Sequence, residues 1–203
     1  MLELRKKYKS GSALEILQDA ILTGDVPENT TLTQNDIAQS LEISRMPVRE
    51  ALIVLEHQGL IERLPGQHVK TASLNDEYLR SIFADMSALE IEAVKVLPRE
   101  KFCELSSCRG QMDFHRTLRK NINAPFRRKM LETITEIYLS FVLGRCDDSG
   151  KIDAVFVNLL GTMTTPKDID VIRAGYAVYS EVLANELIRI RRRQKAHAEL
   201  EAG

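Results

Sequence analysis

Two arginines stand four residues apart in the stretch SRMPVR at positions 44–49. If this stretch is helical, Arg45 and Arg49 share one face and lie one turn apart. The planar guanidinium of arginine can donate two parallel hydrogen bonds to a phosphate or to the major-groove edge of guanine. Ser44 adds a hydroxyl and, at a helix start, backbone N–H groups that suit a phosphate. Residue types and spacing therefore indicate contact with nucleic acid, although two exposed arginines also fit an ordinary solvated surface.

Apolar residues around this stretch predict the elements that position it. A helix that starts after Ser44 and stops at Gly59 would expose Arg45, Met46 and Arg49 opposite a buried face. That face consists of Val48, Ala51, Leu52 and Leu55. Two earlier helices are predicted after Ser12 and Thr33, because each of these caps is followed three positions later by an acidic side chain. Strands are predicted over 60–64 and 68–72, around the turn PGQ.

The order of these elements predicts the domain organisation. Three helices followed by a hairpin describe a winged helix-turn-helix in residues 1–73, with the hairpin as the wing. Residues 74–203 show long helical periods and little strand signal, so they predict an all-α helical bundle, and the fold class is mainly α. The last helix is expected from Pro166 to about Arg193. Helix-turn-helix shapes also occur as protein-binding modules.

The motif itself resembles a known family. The stretch SRMPVREAL at 44–52, followed by Leu55-Glu56 and Gly59-Leu60-Ile61, resembles the signature of GntR-family transcriptional regulators. Gly24, Leu32 and the pair Ile37-Ala38 fall at the spacing that this signature has upstream. The resemblance covers about residues 12–72 and implies that the recognition helix and the wing tip contact double-stranded DNA. The contact residues that it implies are Ser44, Arg45, Met46, Arg49 and Gly66, to which Gln67 and His68 are added as groove contacts.

The sequence also departs from that pattern. Glu28-Asn29 stands where the family usually has Pro-Gly before the second helix, and Asn35 replaces a basic residue near the start of that helix. His68, predicted as a groove contact, fits equally well as the first residue of a strand.

The helical remainder resembles the effector and dimerisation domain of the FadR-type branch of the family. Leu89-Glu90, Phe114-His115 and Asn123 carry this resemblance. Members often hold a divalent metal through an aspartate four residues before the histidine and two later histidines. Gln111 occupies the aspartate position, and the one histidine after His115 is His197. We therefore predict no metal site and expect His115 to be a packed, hydrogen-bonded core residue; the alternative is a weak site at His115 and Asp113. Met86 replaces an arginine common in relatives, so a pocket here should attract anions less.

Composition excludes several other classes. The 203 residues are 44% hydrophobic and 28% charged, which is typical of folded domains. A formal net charge of -1 argues neither for nor against binding to nucleic acid, and segment 1–73 itself holds 8 basic and 10 acidic residues. With no long apolar run and no signal-like start, we expect a cytoplasmic protein without a membrane span. Cys103, Cys108 and Cys146 lack C-x-x-C spacing, so neither a disulfide framework nor a zinc knuckle is expected.

Catalytic motifs are absent from the sequence as well. There is no G-x-S-x-G, no glycine-rich phosphate loop and no H-E-x-x-H. Glu90 and Glu92, two apart on a helix, suit surface and cap positions rather than acid–base work. We therefore expect no enzyme activity and no cofactor.

Together these observations predict a DNA-binding transcriptional regulator, acting as a homodimer on a palindromic operator and responding as a repressor to a small-molecule metabolite. The alternative is a constitutive DNA-binding or protein-interaction module whose helical domain is a dimer scaffold without an effector. The effector-binding residues, the operator and the sign of regulation are left open by the sequence.

Overall fold

The computed structural model describes residues 4, 8, 10–164 and 168–201, apart from the side chains of Gln67, Arg99, Cys103, Ser106, Thr164, Ala198, Glu199 and Glu201. The chain divides into two compact units, Met1–Asn75 with Arg191–Gly203, and Asp76–Ile190. The predicted fold class, a winged helix-turn-helix followed by a helical region, is confirmed. The first unit differs from the expected segment 1–73 because it also takes in the end of the last helix.

The first unit contains three helices and a small sheet. The helices are α1 (Ala13–Thr23), α2 (Gln34–Leu41) and α3 (Arg45–His57), and the strands are β1 (Thr31–Thr33), β2 (Ile61–Leu64) and β3 (His68–Thr71). The sheet is antiparallel in the order β1-β3-β2. Val69 of the central strand β3 lies opposite Leu32 of β1 on one side and opposite Arg63 of β2 on the other. The hairpin prediction was therefore incomplete, because β1 adds a third strand. A strand of three residues is too short for its alternation to appear in the sequence.

Side-chain caps fix the helix starts in this unit. Ser12 with Glu15 and Thr33 with Asp36 form the two predicted capping boxes. These hydrogen bonds hold the pKa values of the Glu15 and Asp36 carboxyls below their usual range. The turn between α2 and α3 is tight because Glu42 adopts the left-handed conformation, with φ 56°.

The core of the first unit lies between these helices and the inner face of the sheet. α1 and α3 pack together, and Leu55 and Leu60 are fully buried beside the start of β2. The predicted inward face of α3 is confirmed, since its buried residues are Val48, Ala51, Leu52 and Leu55.

The second unit consists of helices joined by short turns, and its described residues contain no strand. Its helices are α4 (Asp76–Lys95), α5 (Arg99–Ser106), α6 (Gln111–Lys120), α7 (Pro125–Thr133), α8 (Ser140–Arg145), α9 (Ser149–Thr164) and α10 (Ile169–Glu201). A π-helical stretch, Ile134–Leu139, joins α7 to α8 without a break in helical backbone. Pro166, the predicted start of the last helix, lies outside the described residues. The predicted buried side of α10 is confirmed at Ile172, Tyr176, Tyr179, Leu183 and Leu187.

Candidate nucleic-acid interface

The N-terminal end of α3 is exposed on the face opposite its core residues. Ser44, Arg45, Met46 and Arg49 are all exposed, and 61% of the Met46 surface is accessible. Ser44 is the N-cap residue, yet its hydroxyl makes no capping hydrogen bond. The first turn of α3 therefore presents N–H groups and a hydroxyl at the surface, which is the arrangement that binds a phosphate at a helix start.

The two arginines carry the positive charge of this surface. Neither Arg45 nor Arg49 forms an ion pair with any residue that the structure describes, whereas Arg63 pairs with Glu56 near the other end of α3 at 2.5 Å. The guanidiniums of Arg45 and Arg49 thus keep their charge available for an anionic ligand. Positive charge is concentrated at one end of the helix although the segment as a whole is not basic.

A contact from α2 orients one of these arginines. The Nη1 atom of Arg45 donates a hydrogen bond to Oδ1 of Asn35 at 3.4 Å. Asn35 is the residue that stands where the resemblance implied a basic side chain, and its spacing from Arg45 carries no signal of this contact. The long distance and the exposure of both side chains leave the other guanidinium donors able to turn toward a ligand.

The wing tip lies between β2 and β3. Pro65–Gln67 form a single turn in which Gly66 has φ 76°, a conformation that favours glycine. His68 is the first residue of β3, as the alternative interpretation held, and its ring is exposed with Nδ1 3.2 Å from the Pro65 carbonyl oxygen. Because that oxygen can only accept, Nδ1 donates the hydrogen bond, and in the neutral ring Nε2 is then an acceptor. The Gln67 side chain lies outside the described part of the structure.

A second polar group, which we call the buried cluster, lies inside the helical unit and reaches the surface at the exposed Asp153. It consists of Glu90, Gln111, His115, Tyr179 and Asp153. His115 Nδ1 is 2.6 Å from Glu90 Oε1, and His115 Nε2 is 3.0 Å from the Tyr179 hydroxyl. The Tyr179 hydroxyl donates to Gln111 Oε1 at 2.6 Å, and Gln111 Nε2 donates to Asp153 Oδ1 at 2.7 Å. His115 is thus a packed, hydrogen-bonded core residue, as predicted.

The donor and acceptor capacities of the side chains decide which atoms carry the protons along most of the buried cluster. An ionised Asp153 accepts only, so the Gln111 amide must face it and the Gln111 oxygen must face Tyr179. Tyr179 has one proton to give, so its oxygen accepts from Nε2–H of His115. One proton then lies between His115 and Glu90, either as an ion pair or as two neutral groups.

The position of Glu90 corrects the sequence interpretation. Glu90 is not a surface or cap residue, because none of its surface is accessible. The hydrogen bond to His115 explains its burial, since a buried carboxyl requires a polar partner. Its second oxygen, Oε2, and the buried hydroxyl of Tyr176 make no hydrogen bond of regular geometry with the described residues, although a contact between the Glu90 carboxyl and this hydroxyl contributes to the raised pKa of Tyr176. Burial and the nearby Glu90 carboxylate raise the pKa values of Tyr176 and Tyr179 well above 10.0.

The alternative metal site is not assembled in the described structure. Asp113 is exposed and accepts from the backbone N–H of Arg109 at 3.3 Å, while His115 points both ring nitrogens at Glu90 and Tyr179. Among the described residues, no group of three or more His, Cys, Asp or Glu side chains is arranged to hold a metal ion. None of the described helices is long and apolar enough to cross a membrane.

The order of elements, the exposed start of α3 and the wing define a winged helix-turn-helix. Residues 9–70 match the family described as bacterial regulatory proteins, gntR family. The N-terminal region of this chain is therefore a helix-turn-helix domain of the GntR family.

Similar proteins extend this comparison. An uncharacterized HTH-type transcriptional regulator in an unstable DNA locus of Streptomyces ambofaciens is 32% identical over 90 residues, which is 41% of this chain and 36% of that protein. An uncharacterized HTH-type transcriptional regulator of Mycobacterium tuberculosis H37Rv is 42% identical over 59 residues, 28% of this chain and 24% of the relative. The matched segments thus span about a third or less of these relatives.

Solved structures share the fold over most of the chain. The Escherichia coli protein McbR/YncC is 19% identical, with 93% of this chain and 99% of that chain covered and a TM-score of 0.54. Lar, which controls the expression of the Listeria monocytogenes agr system, is 13% identical, with 87% and 95% covered and a TM-score of 0.58. At these identities the likeness shows a common fold.

Proposed function

We propose that this chain is a transcriptional regulator that binds a palindromic DNA operator as a homodimer. The observation that carries the proposal is the exposed start of α3, where Arg45 and Arg49 stand without ion-pair partners among the described residues. Recognition helices of helix-turn-helix proteins contact base edges through their N-terminal residues. We assign Ser44, Arg45, Met46 and Arg49 to the major groove and its flanking phosphates.

The wing supplies the second part of the proposed interface. Gly66, Gln67 and His68 form or flank its tip, and Nε2 of His68, an acceptor in the neutral ring, suits a donor on a base edge.

The homodimer follows from an argument about the number of base contacts. One winged helix offers few base contacts, and two copies on a twofold axis double them, which produces a palindromic operator.

Selection of duplexes from a randomised library by the full-length chain tests DNA binding. Fluorescence anisotropy then compares an enriched duplex with its shuffled version at several salt concentrations. Tight binding of the enriched duplex alone supports sequence-specific recognition. Equal affinity for both duplexes at every salt concentration would contradict it, because contacts to phosphate alone do not distinguish sequences.

The buried cluster is where we propose that a small effector acts, with repression relieved or imposed by that effector. Glu90 Oε2 and the Tyr176 hydroxyl make no hydrogen bond of regular geometry with the described residues, and a ligand with hydrogen-bond donors would satisfy the carboxyl oxygen better than their mutual contact does. An effector alters DNA affinity only through its different affinities for the two conformations of the regulator.

A second candidate function has its own observation. His115, Tyr179, Gln111 and Asp153 already satisfy one another, which favours a helical scaffold that needs no effector. Thermal-shift measurements with a metabolite library distinguish the two, because a ligand of the native state raises the melting temperature. A rise seen in the wild type and lost in Tyr176→Phe supports the effector. The absence of any rise across the library favours the scaffold.

A further inference from the structure

The end of the last helix is part of the unit that holds the winged helix. The helix α10 is continuous from Ile169 to Glu201, and its residues from Arg191 onward belong to the first unit. The Arg191 side chain is only 12% exposed. Its Nη1 atom donates to the carbonyl oxygens of Ile21 at 2.9 Å and Leu22 at 2.7 Å, and its Nη2 atom donates to Glu28 Oε1 at 2.9 Å.

These acceptors lie where a cation is most favourable. Ile21 and Leu22 are in the last turn of α1, where carbonyl groups carry partial negative charge; the Ile21 carbonyl also accepts from the N–H of the C-cap Gly24 at 3.2 Å. The rigid guanidinium fork reaches two carbonyls and a carboxylate at once, which the single ammonium of lysine cannot reproduce. Arg191 therefore joins the end of α1 to Glu28 in the loop that follows it.

That loop leads into the proposed DNA-contacting elements. Residues 24–30 connect α1 to β1, which is followed at once by α2. Glu28 Oε2 accepts from Ser73 Oγ at 3.1 Å, and Thr71 Oγ1 donates to the Pro27 carbonyl at 2.7 Å and accepts from Thr30 N–H at 2.9 Å. The same loop is thus bonded to the end of β3, which is one strand of the wing.

We propose that Arg191 is a positioning residue for DNA recognition. It holds the α1–β1 loop, and through this loop it sets the places of α2 and of the base of the wing relative to α3. The inference rests on the proposed DNA-binding function and assigns the end of α10 to the DNA-reading unit. Because Nη1 and Nη2 already serve three protein acceptors, Arg191 acts through the loop and does not bind a phosphate itself.

Full-length Arg191→Gln, compared with the wild type, tests this role. The matched control is Arg189→Gln, since Arg189 lies on the same helix, is exposed and pairs with Glu186 at 2.7 Å. Anisotropy measures binding to a duplex selected by the wild type and to its shuffled version, at a temperature where circular dichroism shows every variant fully folded.

We expect Arg191→Gln to weaken binding of the selected duplex about tenfold, as the loss of hydrogen bonds from a charged group allows. Affinity for the shuffled duplex and the slope of binding against salt should stay at wild-type values, as should all values for Arg189→Gln. An unchanged affinity in folded Arg191→Gln would overturn the proposal. A salt slope reduced by about one would also overturn it, because that result identifies a direct phosphate contact.

Glu28→Gln provides an independent variant should Arg191→Gln fail to fold. On its own it should weaken specific binding in the same direction, and an unchanged affinity in folded Glu28→Gln would also overturn the proposal. Where both single variants fold, the double variant should lose less than the sum of the two single losses, because each change removes the Arg191–Glu28 ion pair. Full additivity would contradict a shared role. If the wild type itself does not distinguish the selected duplex from the shuffled one, DNA recognition fails as a whole, which is a different result from a failure at Arg191 alone.

Discussion

Arg45 and Arg49 are the side chains through which we propose that α3 recognises a DNA sequence. Each exposes a guanidinium on the face opposite Val48 and Leu52. Arg45→Ala or Arg49→Ala should cost about 1–3 kcal/mol of affinity for a selected duplex if the side chain reads a base, and should flatten the salt dependence if it meets phosphate. Anisotropy with folded variants measures both effects, and unchanged binding in both variants would disprove the assignment.

Leu52→Ala is the control for indirect effects at this site. Leu52 is buried beneath the arginine face, so its truncation should lower the free energy of unfolding by about 2–5 kcal/mol. DNA binding should fall only as far as the folded fraction falls, and the salt slope of the folded protein should not change.

Tyr179 and Tyr176 offer a matched pair in the buried cluster. The Tyr179 hydroxyl bonds both His115 and Gln111, whereas the Tyr176 hydroxyl makes no hydrogen bond of regular geometry with the described residues and only a poorly aligned contact with Glu90. Tyr179→Phe leaves two buried polar groups unsatisfied and should lower the free energy of unfolding by about 1–3 kcal/mol, measured by urea denaturation. Tyr176→Phe should cost clearly less. An equal or larger loss at Tyr176 would show that its hydroxyl has a role that the contacts do not reveal.

At the scale of elements, an ion pair ties the π-helical stretch to α6. Arg116 Nε donates to Glu136 Oε1 at 2.8 Å, and Arg119 Nη1 reaches the same oxygen at 3.2 Å. The Arg116 hydrogen bond is the main cause that holds the pKa of Glu136 below its ordinary value of 4.5.

This lowered pKa predicts an acid-dependent stability. A folded-state pKa below the unfolded value means that the contribution is fully present above about pH 4.5 and is lost as the pH falls through the folded value. Glu136→Gln should therefore unfold at a lower temperature than the wild type near pH 7, with the difference shrinking toward pH 3. Differential scanning calorimetry across that range checks the trend, and a difference independent of pH would contradict it.

Most elements could be predicted because their signals are local. The capping pairs at Ser12 and Thr33 and the apolar face of α3 are written within one or two helical turns. β1 was missed because its pairing with β3 joins residues far apart in sequence, as in the contact of Leu32 with Val69. Glu90 was misplaced for the same reason, since its partner His115 lies 25 positions away.

The candidate DNA-contacting site could likewise be predicted only where its signals are local in the sequence. Arg45, Met46 and Arg49 could be placed from helical spacing, and the structure finds all three exposed. The contact of Asn35 with Arg45 and the three acceptors of Arg191 depend on tertiary packing, for which spacing gives no signal. The sign of regulation depends on the operator's place in a genome, which no residue in the chain encodes.

At the scale of the whole molecule, twofold symmetry is the strongest consequence of the proposed function. Two recognition helices related by a twofold axis must reach the same side of the duplex, so their half-sites should lie about one helical turn apart or less. Light scattering of the full-length chain should accordingly give twice the chain mass of 23.0 kDa.

Selection of DNA by the full-length protein tests the central claim most directly. The chain is incubated with a randomised duplex library through repeated rounds, and the enriched sequences are read. We predict an inverted repeat with half-sites within about one helical turn, bound more tightly than either half-site alone. The absence of any enriched sequence, or a single non-repeated half-site bound as tightly as the repeat, would contradict operator recognition by a twofold-symmetric dimer.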